Sequence, residues 1–297
     1  MAATVGSVLG DIEAFLYSLG HFRDRVATLT ADLASSGATL LTVDDGTQLS
    51  KGLIEIDDEL IYVKAADTGG NAQIPAWGRA QSGTAASAHT TGSRVRIHPV
   101  FPRSVMKRYL QASIDTLYPD LWKNVVDNTS VLYSSGTLAY SLPAAVESIV
   151  SISAVVQAGY PAQAITRFKF DHDADLTVFP TGRSIQLYQS FPSGTRINIV
   201  YRTGFGTFAT EADSLSSLGL KDRWADILRD DVAARMVLAM EGADLKSGTA
   251  VSQARTTGTP FHAVNLSKAL QSVVDKRVLE ERRKLMLENP SAVNRQY

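Results

Sequence analysis

Asp171-His172-Asp173-Ala174-Asp175 is the densest run of metal-capable side chains. A calcium loop needs glycine at its sixth position and glutamate at its twelfth, to turn the chain and close the oxygen shell. Leu176 and Gly182 stand there instead, so the run reads as a polar turn between strands. Glu55, Asp57, Asp58 and Glu59 form a second acidic stretch. Paired carboxylates can cleave glycosidic bonds, one as acid and the other as base or nucleophile. On a continuous strand Glu55, Asp57 and Glu59 share one side, which reads as an exposed acidic face that discourages wrong pairing. The histidines, His21, His89, His98, His172 and His262, show no HExxH or HxH spacing. His89 reads as a turn residue whose ring bonds a nearby backbone group, not as a base. Ser82-Gly83-Thr84 lacks the G-x-S-x-G elbow of a nucleophile. Gly204-Phe205-Gly206-Thr207 lacks the Gly-Lys-Ser/Thr ending of a phosphate loop. The chain has no cysteine, which excludes disulfides, zinc–thiolate sites and thiol nucleophiles. No catalytic, cofactor-binding or metal-binding residue is assigned, no cofactor is expected, and the chain reads as a non-enzyme.

The elements that would carry these residues alternate between helix and strand. Val5, Val8, Leu9, Ile12, Phe15, Leu16 and Leu19 place a helix over 4–19, with Gly20 as its stop. Residues 22–99 read as β, with turns at Asp45-Gly46 and Gly69-Gly70-Asn71. They suggest a small barrel of roughly five or six strands. Met106, Leu110, Ile114 and Leu117 predict a helix over 103–117, closed by Pro119. Residues 128–208 return to β with a turn at Phe191-Pro192-Ser193-Gly194, and their spacing suggests a sandwich. Two more helices are predicted over 219–246 and 266–288. They carry Trp224, Leu228, Val232, Met236 and Met240, then Leu266, Leu270, Val274 and Val278. Each helix has one apolar stripe to bury. The expected fold is therefore an α+β multidomain chain with a helical-bundle core (1–21, 100–127 and 209–297), into which a small β-barrel (22–99) and a β-sandwich (128–208) are inserted.

Composition narrows the classes. The chain is 44% apolar and 20% charged, with 29 basic and 30 acidic residues and a net charge of −1. That argues against a dedicated nucleic-acid binder, which carries a basic excess. It does not argue against a wall along which DNA slides, where many phosphate contacts would hold the duplex too tightly. Asp11, Glu13 and His21 break any signal-peptide pattern, and no apolar run approaches the ~20 residues that span a bilayer.

Residues 53–99 hold a patterned β segment without a constellation for catalysis. Its second half carries Trp77, Arg79, Gly83, Thr84, Ala86, His89, Gly92, Ser93 and Val95. It is followed by Phe101-Pro102-Arg103 and, after a helix, by Leu117-Tyr118-Pro119-Asp120-Leu121-Trp122. This pattern resembles a signature of tailed-bacteriophage head-to-tail adaptor (connector, neck) proteins, sharply over about 40–125. Here Gly78-Arg79-Ala80 replaces the family's Arg-Gly pair.

The resemblance implies a virion structural protein at the head–tail junction, assembled in the host cytoplasm. About twelve copies would form a homo-oligomeric ring under the portal, through heterologous contacts. The ring would bind the portal protein and the next neck or tail protein. It would extend the DNA channel, close to double-stranded DNA without reading its sequence, and would not engage a membrane. Contacts to portal or DNA channel would come from Lys276, Arg277, Arg282, Arg283 and Lys284 of the last helix and from Tyr297 in the tail. Taken singly, those charges also suit a solvated helix face with pairs such as Glu280–Lys284. One alternative is a baseplate or fibre-attachment protein. The other is a glycan-binding or glycan-cleaving protein that uses Tyr160, Tyr188 and Tyr201 as stacking platforms and the acidic strand as catalyst.

Overall fold

The computed structural model describes residues 2–20, 24–157, 159–247 and 262–288. The chain divides into two compact units. The first comprises Met1–Ser113, Ala209–Ser214 and Arg223–Val273, and the second Ile114–Phe208, Leu215–Asp222 and Val274–Tyr297. The described residues form four α-helices and four antiparallel sheets.

The first unit opens on α1 (Val5–Gly20). Thr4 and Ser7 cap it reciprocally, each side chain accepting the other's amide hydrogen at 3.1 and 2.9 Å. Its stripe Val5, Val8, Leu9, Ile12 and Leu16 is buried. Strands β1 (Arg25–Thr28), β2 (Leu40–Thr42), β3 (Gly52–Ile56), β4 (Glu59–Val63), β5 (Ala65–Ala66), β6 (Asn71–Gln73) and β7 (Arg94–Ile97) follow. They form two sheets, β1-β7-β3-β4 and β2-β6-β5, around a cluster that includes Leu29, Leu41, Ile54, Ile56, Ile61, Val63, Val95 and Ile97. The two sheets are linked where β1 and β2 run on into a bridge between Leu29 and Val43, with the Thr30 amide donating to the Thr42 carbonyl at 2.9 Å and the Asp44 amide to the Thr28 carbonyl at 3.0 Å; the expected small barrel appears as these two linked sheets.

Strands β3 and β4 are a hairpin turned at Asp57-Asp58. Asp57 takes φ 53°, a left-handed conformation that aspartate tolerates better than most residues. Leu53 and Glu55 oppose Tyr62 and Leu60 on one face, while Ile54 and Ile56 oppose Ile61 and Glu59 on the other. The acidic residues therefore do not share a face, and Glu55 and Glu59 are each 1% exposed. This corrects the exposed acidic face expected from an unbroken strand.

Helix α2 (Arg103–Leu117) forms where its apolar spacing places it and is divided between the units. The second unit contains β8 (Lys123–Leu132), β9 (Ala139–Ser141), β10 (Ser148–Val155), β11 (Gln163–Ala164), β12 (Phe168–Asp171), β13 (Ser184–Leu187) and β14 (Arg196–Thr203). Sheets β11-β10-β14-β8 and β12-β13-β9 contribute to one core through Val131, Ile152, Ile185, Leu187, Ile197, Ile199 and Tyr201. Helix α3 (Ala225–Ser247) belongs to the first unit, and α4 (His262–Glu288) is divided between the units.

No helical-bundle core exists among the described residues, against expectation. Helix α1 packs along α3, and α2 reaches α3 through Ser113 Oγ, which donates to Asp231 at 2.6 Å. Helix α3 does not bury one stripe but most of its circumference: Ile227, Leu228, Asp230, Asp231, Val232, Ala233, Ala234, Met236 and Val237 are all buried. Among the described side chains of α4, only Val274, Glu281 and Leu285 are buried, while Val273, Leu279, Met286 and Leu287 are exposed. A bundle needs every helix to offer a continuous buried seam. One helix here is buried nearly all round and another has barely a seam.

Candidate functional site

The signature residues Arg79 and His89 meet Glu59 in a buried ion network. Arg79 Nε and Nη2 donate to the two Glu59 oxygens at 2.7 Å each, a bidentate pair. Arg79 also donates to the carbonyls of Ser35 at 2.8 Å and Ser87 at 2.5 Å. Glu59 further accepts the amides of Ala80 at 3.0 Å and Ser87 at 3.1 Å. His89 stands between two carboxylates, with Nε2 2.9 Å from Glu59 and Nδ1 2.7 Å from Asp57. This corrects the reading of His89 as a ring bonded to backbone. Its backbone forms an antiparallel bridge with the distant Leu33, exchanging both hydrogen bonds. Burial opposes ionisation of Glu59, but the hydrogen bonds from Arg79, the Ser87 amide, His89 and the Ala80 amide outweigh it and lower the pKa to about 2.

The remaining signature residues shape the chain. Thr84 Oγ1 accepts the Leu60 amide at 3.2 Å and donates to the Gln81 carbonyl at 2.9 Å. Gly83 and Gly92 take φ of 80° and 91°, and Val95 lies in the core. Trp77 is the exception: it is 63% exposed and stacks on Tyr62 at 4.9 Å between ring centroids.

A second network lies on the other face of β3. Arg96 donates to Glu55 at 2.9 Å, Asp24 at 2.7 Å, the Tyr17 hydroxyl at 2.8 Å and the Phe101 carbonyl at 3.2 Å. Glu55 also accepts the Ser104 amide at 3.2 Å. Burial raises the Glu55 pKa against the pull of Arg96, and burial with Asp24 raises that of Tyr17. Next to it, Arg103 holds Glu211 bidentately at 2.8 and 2.7 Å and reaches Glu13 at 3.2 Å. Lys107 joins Glu211 at 2.9 Å and Asp58 at 2.5 Å. The Arg103 hydrogen bond, opposed by burial and aided by Lys107, lowers the Glu211 pKa to about 2.

The expected contact residues of the last helix do not gather into one patch. Arg282 pairs with Asp120 at 2.7 Å, and Lys284 with Glu281 at 2.6 Å. Arg277 is half-buried and already engaged. Lys276 and Arg283, about two turns apart, share an exposed face with Leu279. Tyr297 lies outside the described residues. The Asp171–Asp175 run caps turns: Asp171 accepts the Asp173 amide at 3.1 Å, and Asp175 the Thr177 amide at 2.9 Å. Among the described residues no group of three or more His, Cys, Asp or Glu side chains is arranged to hold a metal ion. No described helix is long and apolar enough to cross a membrane.

Sequence reasoning missed both buried networks. The signal for them was the arginine–carboxylate balance inside one β segment: Arg79 and Arg96 against Glu55, Asp57 and Glu59. Set against family models, curated proteins and solved structures, the chain matches none.

Proposed function

We propose that the chain is a structural protein of a tailed-phage virion, a head-to-tail adaptor that forms a ring under the portal and joins head to tail. The family reading rests on the pattern from Trp77 to Val95. The observation that supports a structural role is the network Glu59–Arg79–His89–Asp57, in which buried Glu59 and Arg79 spend their hydrogen bonds on each other, on His89 and on backbone groups. A buried ion network can hold a subunit in one conformation, which would suit a subunit that presents the same face to each neighbour. The glycan-cleaving alternative is weakened. Glu55 and Glu59 lie on opposite faces of a hairpin, each bound to an arginine, and Tyr201 is a core residue.

Mixing the purified chain with the portal protein encoded by the same phage tests the reading. Co-sedimentation as a ring on the portal in negative-stain images is the expected result. Separate sedimentation of the two at micromolar concentrations would contradict it.

A further inference from the structure

Arg202 of β14 faces Ser148 of β10 on one side and Asn124 of β8 on the other. Cross-strand partners in register project from the same face. These three polar side chains therefore form a row across three strands, on the face opposite the core residues Tyr201, Ile199 and Ile197. The Arg202 guanidinium lies over the Trp122 ring, with Cζ 4.0 Å from the ring centroid. Among the described residues it makes no ion pair and no hydrogen bond, nor do the Ser148 hydroxyl and the Asn124 amide.

Arg202 Nε and Asn124 Oδ1 are buried without partners, but the terminal nitrogens of Arg202 and the Asn124 amide nitrogen are not. A second guanidinium, Arg282, is close enough for its charge to act on Arg202, and its Nε is likewise unpartnered. Two carboxylates stand nearby: Asp120 is already paired with Arg282, and Glu147 is exposed beside Ser148. The row thus offers donors of three kinds and a positive charge with no counter-ion. Burial, opposed by Tyr118 and reinforced by Arg282, lowers the Arg202 pKa, as expected of a cation that lacks its anion.

We propose that the row Ser148–Arg202–Asn124, with Arg282 nearby, binds a phosphate group. A tetrahedral oxyanion has enough acceptors for the guanidinium fork, a hydroxyl and an amide at once, and it supplies the absent counter-charge. The aromatic ring beneath Arg202 restrains the guanidinium, so less freedom is lost on binding. The site stands on the geometry of the second unit and does not depend on the adaptor reading. The phosphate can come from free phosphate or from the backbone of a nucleic acid, and the test separates them.

The full chain is titrated calorimetrically with sodium phosphate, and separately with a short DNA duplex, against sodium chloride at equal ionic strength. Arg202→Gln is expected to weaken binding about tenfold or more, the loss of one charge-assisted contact. Lys169→Gln, at an exposed position of β12, is expected to leave it unchanged. Asn124→Asp puts a negative charge of the same size into the row and is expected to abolish binding, which keeps the test informative if Arg202→Gln fails to fold. Binding of phosphate alone marks a free-anion site. Binding of the duplex, displaced by phosphate and lost in Arg202→Gln, marks the nucleic-acid backbone. Heats no different from chloride with both ligands, or binding that a folded Arg202→Gln retains, would overturn the proposal.

Discussion

Arg79 fixes Glu59 in a place where an unpaired carboxylate would be costly. Arg79→Ala leaves Glu59, 1% exposed, without its bidentate partner, and is expected to destabilise the chain by about 3–5 kcal/mol in urea unfolding. Acid sensitivity follows from the same residues. Glu59 and Glu211 titrate near 2 in the folded chain against a reference of 4.5. As pH falls the unfolded chain takes up these protons first, so their stabilisation is fully present above about 4.5 and is lost between there and about 2. Glu55, raised by burial, works in the opposite direction. Unfolding midpoints measured from pH 6 to pH 2.5 are expected to fall, and Glu59→Gln to flatten part of that fall. A constant midpoint would contradict the network. The acidic stretch was legible as composition but not as geometry. Asp57-Asp58 carries only aspartate's own turn preference, without glycine or proline, and reads as part of an unbroken strand rather than as the turn that sends Glu55 and Glu59 to opposite faces.

At the scale of elements, close backbone approach decides which substitutions are tolerated. Gly70 takes φ 89°, and a Cβ there would lie 2.2 Å from the Val43 carbonyl oxygen. Gly83, at φ 80°, has open space around it. Gly83→Ala is expected to cost about 1–2 kcal/mol from conformation alone. Gly70→Ala is expected to cost clearly more, as measured by thermal unfolding of the two variants side by side; equal costs would contradict the packing around Val43. The edge strand β8 has its own device. Asp127 Oδ1 accepts the amides of Thr129 and Ser130, both at 3.0 Å, where the register against β14 shifts. Such a break keeps a ten-residue edge from templating another strand. Asp127→Ala is expected to increase self-association, seen as concentration-dependent sedimentation. Helix α2 was legible because Met106, Leu110, Ile114 and Leu117 repeat at helical spacing and are all buried. The bundle was a false inference from equally good stripes. Spacing shows that a helix has an apolar side but not which element covers it, and α3 is buried far beyond its stripe.

At the scale of the whole molecule, the two units have separate sheet cores, and the net charge is −1. Repulsion between copies is therefore small, which would suit the proposed ring of identical subunits. On α4, Leu279 and Met286 are 54% and 45% exposed and flank Arg283. Leu279→Glu with Met286→Glu is expected to leave stability within about 0.5 kcal/mol and to impair the proposed ring formation on the portal, read by co-sedimentation. The proposed adaptor role is tested most directly by deleting the gene from the phage that the proposal implies and imaging the lysate by negative-stain electron microscopy. Filled heads and complete tails that stay unattached are the expected result. Joined particles lacking only tips or fibres, or normal infectious particles, would contradict a joint between head and tail.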